Sequence, residues 1–167
     1  KVLKMATFEQ QGLTLSPENV DWAEVIQLVL NSMKLQFEKY GAKVDFTKTG
    51  EGFVLTADKI HLTNVIYNLL DNALKYTEIQ PKISLLLQKT AHDLRLSVSD
   101  NGIGIPAEYQ DKIFDKFFRV PTGDTHDVKG YGLGLNYVYT VVKQHGGRIE
   151  VESKVGSGSV FTIIMPH

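Results

Sequence analysis

Apolar residues recur along much of this chain with the spacing of amphipathic helices. Two long segments carry this pattern, one from about Trp22 to Tyr40 and one from Asp58 to about Tyr76. A third helix is predicted from about Leu133 to His145, and a shorter amphipathic helix near Pro106–Phe114. The chain therefore contains enough helix to cover one face of a sheet.

Strand-like stretches lie between these helices, bounded by Gly, Pro and polar clusters. Because helices and strands alternate in blocks, without a strict strand–helix–strand rhythm, they favour an α+β fold. We expect a two-layer α/β sandwich, with about three helices on one face of a mixed, mostly antiparallel sheet. The predicted strands are Leu13–Leu15, Lys43–Lys48, Phe53–Thr56, Lys82–Lys89, Leu94–Ser99, Arg148–Glu152 and Ser159–Met165.

Composition limits the classes of function. The 167 residues fit one domain, and 18 basic against 19 acidic residues leave no basic field that would attract nucleic acid or an anionic membrane. Cysteine is absent, which excludes disulfides and thiolate metal sites. No apolar run reaches membrane-spanning length, and no signal peptide is visible. Residues 1–11 have the pattern of a helix that begins upstream, so we expect residues 12–167 to be one domain of a longer protein.

An acidic residue ends an apolar run at Asp100 and is followed by Asn-Gly-Ile-Gly-Ile. Gly102 and Gly104 would let the backbone lie flat against a ligand. A buried Asp100 carboxylate needs a hydrogen-bond donor, and the exocyclic amine of adenine is one, whereas guanine presents a carbonyl there. An Asx-turn at the end of a strand explains the same residues equally well.

Polar residues interrupt the apolar pattern of the second long helix. Asn68 and Asn72 lie four residues apart and share a face, with Lys75 and Tyr76 nearby. An amide oxygen suits Mg²⁺, and Lys75 suits phosphate oxygens. The simpler alternative is a capping or core amide with a solvated lysine.

Glycines precede the third helix at Gly130, Gly132 and Gly134. Such a segment can point backbone N–H groups at an anion, and the helix N-terminus adds a favourable field. A flexible hinge is the alternative. Before it, residues 121–130 are polar and predict a loop.

Two further segments are less specific by themselves. In Phe114–Arg119, Phe117 and Phe118 would anchor the base of the loop in the core while Arg119 reaches a terminal phosphate. An apolar anchor with solvated charges is as good an interpretation. Gly156-Ser-Gly158-Ser159, taken alone, is best explained as a hairpin turn.

The five motifs together carry a specific resemblance. Asn68–Thr77, Asp100–Ile105, Phe114–Arg119, Gly130–Leu135 and Gly156–Gly158 resemble, in order and spacing, the N, G1, F, G2 and G3 boxes of sensor histidine kinases. These kinases belong to the GHKL superfamily of Bergerat-fold ATP-binding domains. The match runs from about Gly12 to the end and implies a catalytic and ATP-binding domain.

The resemblance also implies roles for individual residues. Asp100 would bind the adenine amine, and Asn72 would hold Mg²⁺, with Asn68 as a second candidate ligand. The catalytic residues would be Asn68, Lys75 and Arg119, and residues 116–129 would form a lid over ATP. One departure is Tyr131, where the family often has threonine. The residues implied to bind ATP and Mg²⁺ are Asn68, Asn72, Lys75, Tyr76, Asp100, Gly102, Gly104, Ile105, Lys116, Phe118, Arg119, Gly130, Gly132, Leu133, Gly134, Leu135 and Ser159.

One position separates phosphoryl transfer from hydrolysis within the superfamily. ATP-hydrolysing relatives such as the gyrase B subunit and MutL carry a glutamate base where this chain has Asn68. An amide cannot take the proton of an attacking water, so the resemblance implies transfer to a protein histidine. The acceptor would lie on an absent dimerisation domain, and a response regulator would receive the phosphoryl group next. The alternatives are a non-catalytic ATP/ADP-sensing module and an ATPase clamp.

The same resemblance implies where the domain works. We expect a cytoplasmic domain, with the parent protein a candidate for anchoring in the inner membrane. Because dimerisation in the family resides in the missing domain, we expect this part of the chain to be monomeric.

Overall fold

The structure is a computed structural model that describes residues 13–120 and 134–167. The expected tail of an upstream helix, in residues 1–11, lies outside the described residues. So do Gly130, Gly132 and Leu133 of the predicted glycine-rich segment. Within the two described ranges, no helix combines the length and the apolar character needed to cross a membrane.

Two sheets form from strands that pair mostly antiparallel. The larger sheet has the order β2-β4-β5-β7-β6, in which only the β2–β4 pair is parallel within the described chain. A separate two-stranded antiparallel sheet pairs β1 with β3. The strands are β1 (Glu18–Asp21), β2 (Lys43–Thr49), β3 (Val54–Ala57), β4 (Lys82–Lys89), β5 (Asp93–Asp100), β6 (Arg148–Lys154) and β7 (Gly158–Pro166).

Helices cover one face of the larger sheet. Burial alternates along β4, where Ile83, Leu85 and Leu87 point into the core. The apolar stripe of α3 meets this face, and α1 and α4 pack on either side of α3. The predicted two-layer sandwich of helices on a mixed, mostly antiparallel sheet is confirmed. The α-helices of the described residues are α1 (Trp22–Ser32), α2 (Lys34–Tyr40), α3 (Lys59–Lys75) and α4 (Gly134–Gln144).

The helix predicted from Trp22 to Tyr40 is wrong in one respect, because it is broken at Met33. Met33 has φ −100° and ψ 6°, which end α1 and begin α2. The Ser32 hydroxyl donates to the Val29 carbonyl at 2.8 Å, a local bond that competes with the regular helical pattern. Met33 and Phe37 are both buried in the core.

The strand predicted at Leu13–Leu15 is also wrong. These residues are irregular, and the strand is Glu18–Asp21, directly after Pro17. Proline cannot donate to a ladder, and the four residues after it pair in register with β3. Leu13 packs against the core without belonging to a strand.

The short helix predicted at Pro106–Phe114 is reduced to one 3₁₀ turn, Ala107–Tyr109, followed by turns. Backbone bonds such as Tyr109 N–H to Pro106 O are of the three-residue type. One apolar residue of the segment, Ile113, is nevertheless buried in the core.

Asp58 ties three parts of the fold together at the start of α3. Its carboxylate, 6% exposed as a residue, accepts from the backbone N–H of Ser16 at 2.8 Å and of His61 at 3.1 Å. Its own N–H donates to His145 Nε2 at 3.0 Å, just beyond α4. Burial raises the pKa of Asp58, but these donated hydrogen bonds outweigh burial and leave the pKa below its usual value.

Replacing Asp58 with alanine should lower the free energy of unfolding by about 1–3 kcal/mol at neutral pH, because the N-cap and a buried acceptor are lost. A carboxyl with a lowered folded-state pKa stabilises above its unfolded pKa of about 3.9 and loses that effect as the pH falls through the folded value. The difference between Asp58→Ala and the unsubstituted chain should therefore shrink in acid. Urea denaturation over a pH series measures it.

Asp111→Ala, at an exposed position, is the matched control and should change stability little. A deficit of Asp58→Ala that stays constant into acid would contradict the assigned role of the ionised carboxylate.

Candidate functional site

A cleft opens between α3, the end of β5, residues 103–120 and the first turn of α4. The space between its lining atoms, including the open mouth, is about 730 Å³. Its walls are mainly apolar with a few polar groups. The lining residues are Leu69, Asn72, Ala73, Tyr76, Val98, Asp100, Ile103, Gly104, Ile105, Ile113, Phe118, Arg119, Val120, Leu135, Ser159 and Phe161.

The structure brings part of the predicted nucleotide set into this one cleft. The predicted residues that line it are Asn72, Tyr76, Asp100, Gly104, Ile105, Phe118, Arg119, Leu135 and Ser159. Asn68, Lys75, Gly102, Lys116 and Gly134 are described but do not line it. Asn72 and Ser159, which are more than eighty positions apart in the sequence, thus line the same cleft.

Asp100 stands at the end of β5, where it both makes a local turn and lines the cleft. Its Oδ1 accepts from Gly102 N–H at 2.8 Å, which is the Asx-turn that the sequence left as the alternative. Burial raises the pKa of Asp100, and the backbone N–H groups of Gly102 and Ser159 offset part of this effect. A partly buried carboxylate on an apolar wall is a strong acceptor for a ligand N–H.

The loop after Asp100 packs against backbone at very short range. A Cβ atom built on Gly104, where φ is +79°, would lie 2.2 Å from Lys154 O. A Cβ atom on Gly158, where φ is +104°, would lie 2.0 Å from Asp100 O. Only glycine combines these conformations with this approach, so the loop is seated directly on the β6–β7 hairpin. That hairpin turn was the preferred interpretation of Gly156–Ser159, and it is confirmed.

Two side chains that sequence reasoning missed support this contact. Ser153 Oγ accepts from Ile105 N–H at 2.7 Å and donates to Gly158 O at 3.0 Å. Gln110 Nε2 donates to the carbonyls of Ile105 and Ser153, both at 2.9 Å. Neither residue belongs to a glycine motif. The sequence does contain one sign of the role of Ser153. It continues the alternate, inward-facing positions of β6 that Ile149 and Val151 occupy before it.

On α3, the predicted phosphate-side residues lie in different surroundings. Asn72 lines the cleft, and Asn68 Nδ2 donates to Asn64 O at 2.7 Å. A Cβ atom on Gly134 would lie 3.2 Å from Asn68 Oδ1, so the Asn68 side chain lies beside the first residue of α4. Lys75 Nζ lies 2.8 Å from Asp71 Oδ2.

The pairing of Lys75 with Asp71 fixes its charge. The hydrogen bond to the Asp71 carboxylate raises the pKa of Lys75 despite partial burial, so the lysine is cationic at neutral pH.

Among the described residues, no group of three or more His, Cys, Asp or Glu is placed to hold a metal ion. The amide oxygen of Asn72 is a hard donor that fits Mg²⁺, which commonly completes its coordination with water and phosphate oxygens.

The segment Phe114–Arg119 differs from the sequence prediction at Phe117. Phe117 is not a core anchor; it is 62% exposed and has φ +65°, within a turn closed by Phe118 N–H to Asp115 O. This conformation turns the side chain outward. The Phe118 ring lies 5.7 Å from the Tyr109 ring at an interplanar angle of 43° and lines the cleft, while Phe114 meets the Phe161 ring edge-on.

The chain matches the family described as histidine kinase-, DNA gyrase B- and HSP90-like ATPase over residues 57–167. It is 44% identical to the sensor protein RprX of Bacteroides fragilis over 99% of its length, and covers 32% of that protein. The chain therefore spans about a third of this curated relative.

Solved structures give the same result. The nucleotide-free catalytic domain of histidine kinase ThkA aligns with a TM-score of 0.80 and 28% identity, covering 91% of this chain and 98% of that one. ThkA in complex with the response regulator protein TrrA aligns with a TM-score of 0.82 and 25% identity, over 99% of this chain and 46% of that one. Full-length ShkA in complex with AMPPNP aligns with a TM-score of 0.83 and 25% identity, over 99% and 34%.

Ser153→Ala should destabilise the fold by about 1–3 kcal/mol, because the partly buried Ile105 N–H loses its acceptor. Denaturant titration measures the loss. Ser157→Ala, the same substitution at an exposed position of the β6–β7 turn, is the control and should be nearly neutral. Equal effects of the two substitutions would contradict the supporting role of Ser153.

Proposed function

The chain belongs to the family of histidine kinase-, DNA gyrase B- and HSP90-like ATPases, and from this premise we propose that it binds ATP with Mg²⁺ and transfers the γ-phosphoryl group to a histidine. The acceptor would lie on a dimerisation domain of the same parent protein. The observation that carries the proposal is the position of Asp100, a partly buried carboxylate on the wall of a mainly apolar cleft.

The adenine ring is the part of ATP that the cleft fits best. Apolar side chains such as Leu69, Val98 and Ile113 supply flat packing surface. The Asp100 carboxylate accepts from the exocyclic amine, whereas guanine would place a carbonyl against the same negative charge. Ser159, which is buried beside Asp100 on β7, is a candidate hydroxyl near the ring.

The phosphate groups would lie toward α3 and the first turn of α4. Asn72, with Asn68 as a second candidate, would hold Mg²⁺, which when bound neutralises phosphate charge. Lys75 and Arg119 would contribute positive charge as catalytic residues, and Tyr76 and Lys116 would contact or enclose the phosphates. Positioning and charge neutralisation then supply most of the catalysis.

The glycine-rich segment and the lid complete the proposed site from the resemblance. Gly130, Gly132 and Leu133 would contact the phosphates together with Gly134 and Leu135, of which only the last two are described. Residues 116–129 would cover the bound nucleotide. The lid is proposed only from the resemblance of the sequence motifs. The nucleotide-binding prediction for Asp100→Asn does not depend on it.

Transfer is favoured over hydrolysis by the chemistry of Asn68. Its amide donates to Asn64 O and lies beside the start of α4, and it has no basic atom to accept a proton from water. The nucleophile would be a histidine of the partner domain, whose imidazole nitrogen needs no base at Asn68. The ThkA–TrrA complex supports a receiver domain as the next phosphoryl acceptor.

The setting of the domain is also a proposal. RprX is named a sensor protein, and this chain spans 32% of it, so we propose residues 12–167 as the catalytic domain of a larger sensor kinase. The domain would act in the cytoplasm, with the parent protein a candidate for membrane anchoring.

Asp100→Asn should weaken binding of AMPPNP by about 1–3 kcal/mol, because a charge-assisted hydrogen bond to the adenine amine is lost. The preference for AMPPNP over GMPPNP should fall as well, since an amide can donate to the guanine carbonyl. Isothermal titration calorimetry with both nucleotides measures this. Asp111→Asn, at an exposed position outside the cleft, is the control. Unchanged AMPPNP affinity in Asp100→Asn would remove Asp100 from the proposed adenine contact.

Mixing the chain with the dimerisation domain of its parent and γ-labelled ATP should give a label on histidine, recognised by its lability in acid and stability in base. The chain alone should turn over little ATP, because Asn68 provides no base. Tight ATP binding without histidine labelling would contradict the kinase proposal. Rapid ATP hydrolysis by the chain alone would instead favour an ATPase clamp.

A further inference from the structure

A polar cluster sits in the otherwise apolar contact between α3 and α4. The Tyr137 hydroxyl and His61 Nδ1 are 2.5 Å apart, and Asn64 Nδ2 donates to the same hydroxyl at 3.4 Å. Tyr137 is only 8% exposed. Both helices also carry buried aliphatic residues, such as Leu62 and Val65 on α3 and Val141 on α4.

The cluster is connected to the phosphate side of the proposed site. Asn64 O accepts from Asn68 Nδ2 at 2.7 Å, and Asn68 Oδ1 lies beside Gly134, the first residue of α4, on the side where a Cβ atom would stand. Tyr137 lies three residues after Gly134, which is nearly one helical turn. A short chain of contacts therefore runs from the α3–α4 contact to the residue at which the glycine-rich segment enters α4.

Close apolar packing sets most of the relative position of two helices. Aliphatic contacts are non-directional, so a directional group in the contact restricts rotation of α4 on α3 further. A hydrogen bond between a tyrosine and a histidine has one favourable geometry. Burial raises the pKa of Tyr137, so its hydroxyl stays protonated and can donate to His61 while it accepts from Asn64.

We propose that Tyr137, held by His61 and Asn64, is a positioning residue that sets the first turn of α4 against Asn68. This inference rests on the proposed function, because the first turn of α4 is where the phosphate groups of ATP would meet backbone N–H groups. A small displacement there weakens contacts to the phosphates. The proposed adenine contact of Asp100 lies on β5, beside Ser159 of β7, so it should change less than the phosphate contacts.

The test separates phosphate binding from adenine binding. Tyr137→Phe should reduce AMPPNP affinity about three- to tenfold, the effect of one lost hydrogen bond, when measured by calorimetry. Affinity for adenosine, which has no phosphate, should stay within about twofold in an NMR titration, because the hydrogen bond to Asp100 remains. Tyr139→Phe removes a hydroxyl from a more exposed tyrosine of the same helix and should leave both affinities unchanged.

Variants of the partner residue extend the test. His61→Ala should reproduce the selective loss of AMPPNP affinity, and it serves as the test if Tyr137→Phe does not fold. His61→Asn retains a short polar group near the position of Nδ1 and should recover most of the affinity. A selective loss in His61→Ala with recovery in His61→Asn is a result that a purely structural role would not give.

The outcomes distinguish this inference from the function on which it rests. Unchanged AMPPNP affinity in folded Tyr137→Phe and His61→Ala would overturn the inference and leave the proposed function standing. Parallel losses of AMPPNP and adenosine affinity would overturn it too, because they indicate general damage to the domain. Absence of AMPPNP binding by the unsubstituted chain would contradict both.

Discussion

The site depends on one close backbone contact, between the loop that follows β5 and the β6–β7 hairpin. Carbonyl oxygens occupy the space that a Cβ atom would need at Gly104 and Gly158. The contact fixes where β5 ends, and so where the Asp100 carboxylate lies relative to the apolar wall of the cleft. Ser153 and Gln110 satisfy the backbone groups that this arrangement buries. A polar loop can then form the floor of a binding cleft without unpaired buried groups.

Helix α3 joins this floor to the rest of the domain. One side of α3 packs fully buried residues such as Leu62 and Ile66 into the core, which sets its height above the sheet. Another side carries Asn68 and Asn72 toward α4 and the cleft. Because both sides belong to one helix capped by Asp58, the core packing that stabilises the fold also positions the polar residues of the site.

Sequence patterns were sufficient for several of the longer elements. The period of α3 and the alternation of β4 and β5 are set by burial on one face, so those elements were found nearly to the residue. Sequence patterns did not predict the local conformations. The helix breaks at Met33, next to the hydrogen bond of the Ser32 side chain, and the Phe117 side chain points outward from a turn. The supports of the site, Ser153 and Gln110, depend on contacts between distant segments, which no local spacing encodes.

The central claim is that the cleft beside Asp100 is an adenine pocket whose phosphate end lies between α3 and the start of α4. A crystal structure of the chain with AMPPNP and Mg²⁺ tests it most directly. The account predicts the adenine amine within hydrogen-bond distance of an Asp100 carboxylate oxygen, and the phosphates beside Asn72 and the first turn of α4. A nucleotide bound outside this cleft, or one whose ring lies away from Asp100, would contradict it.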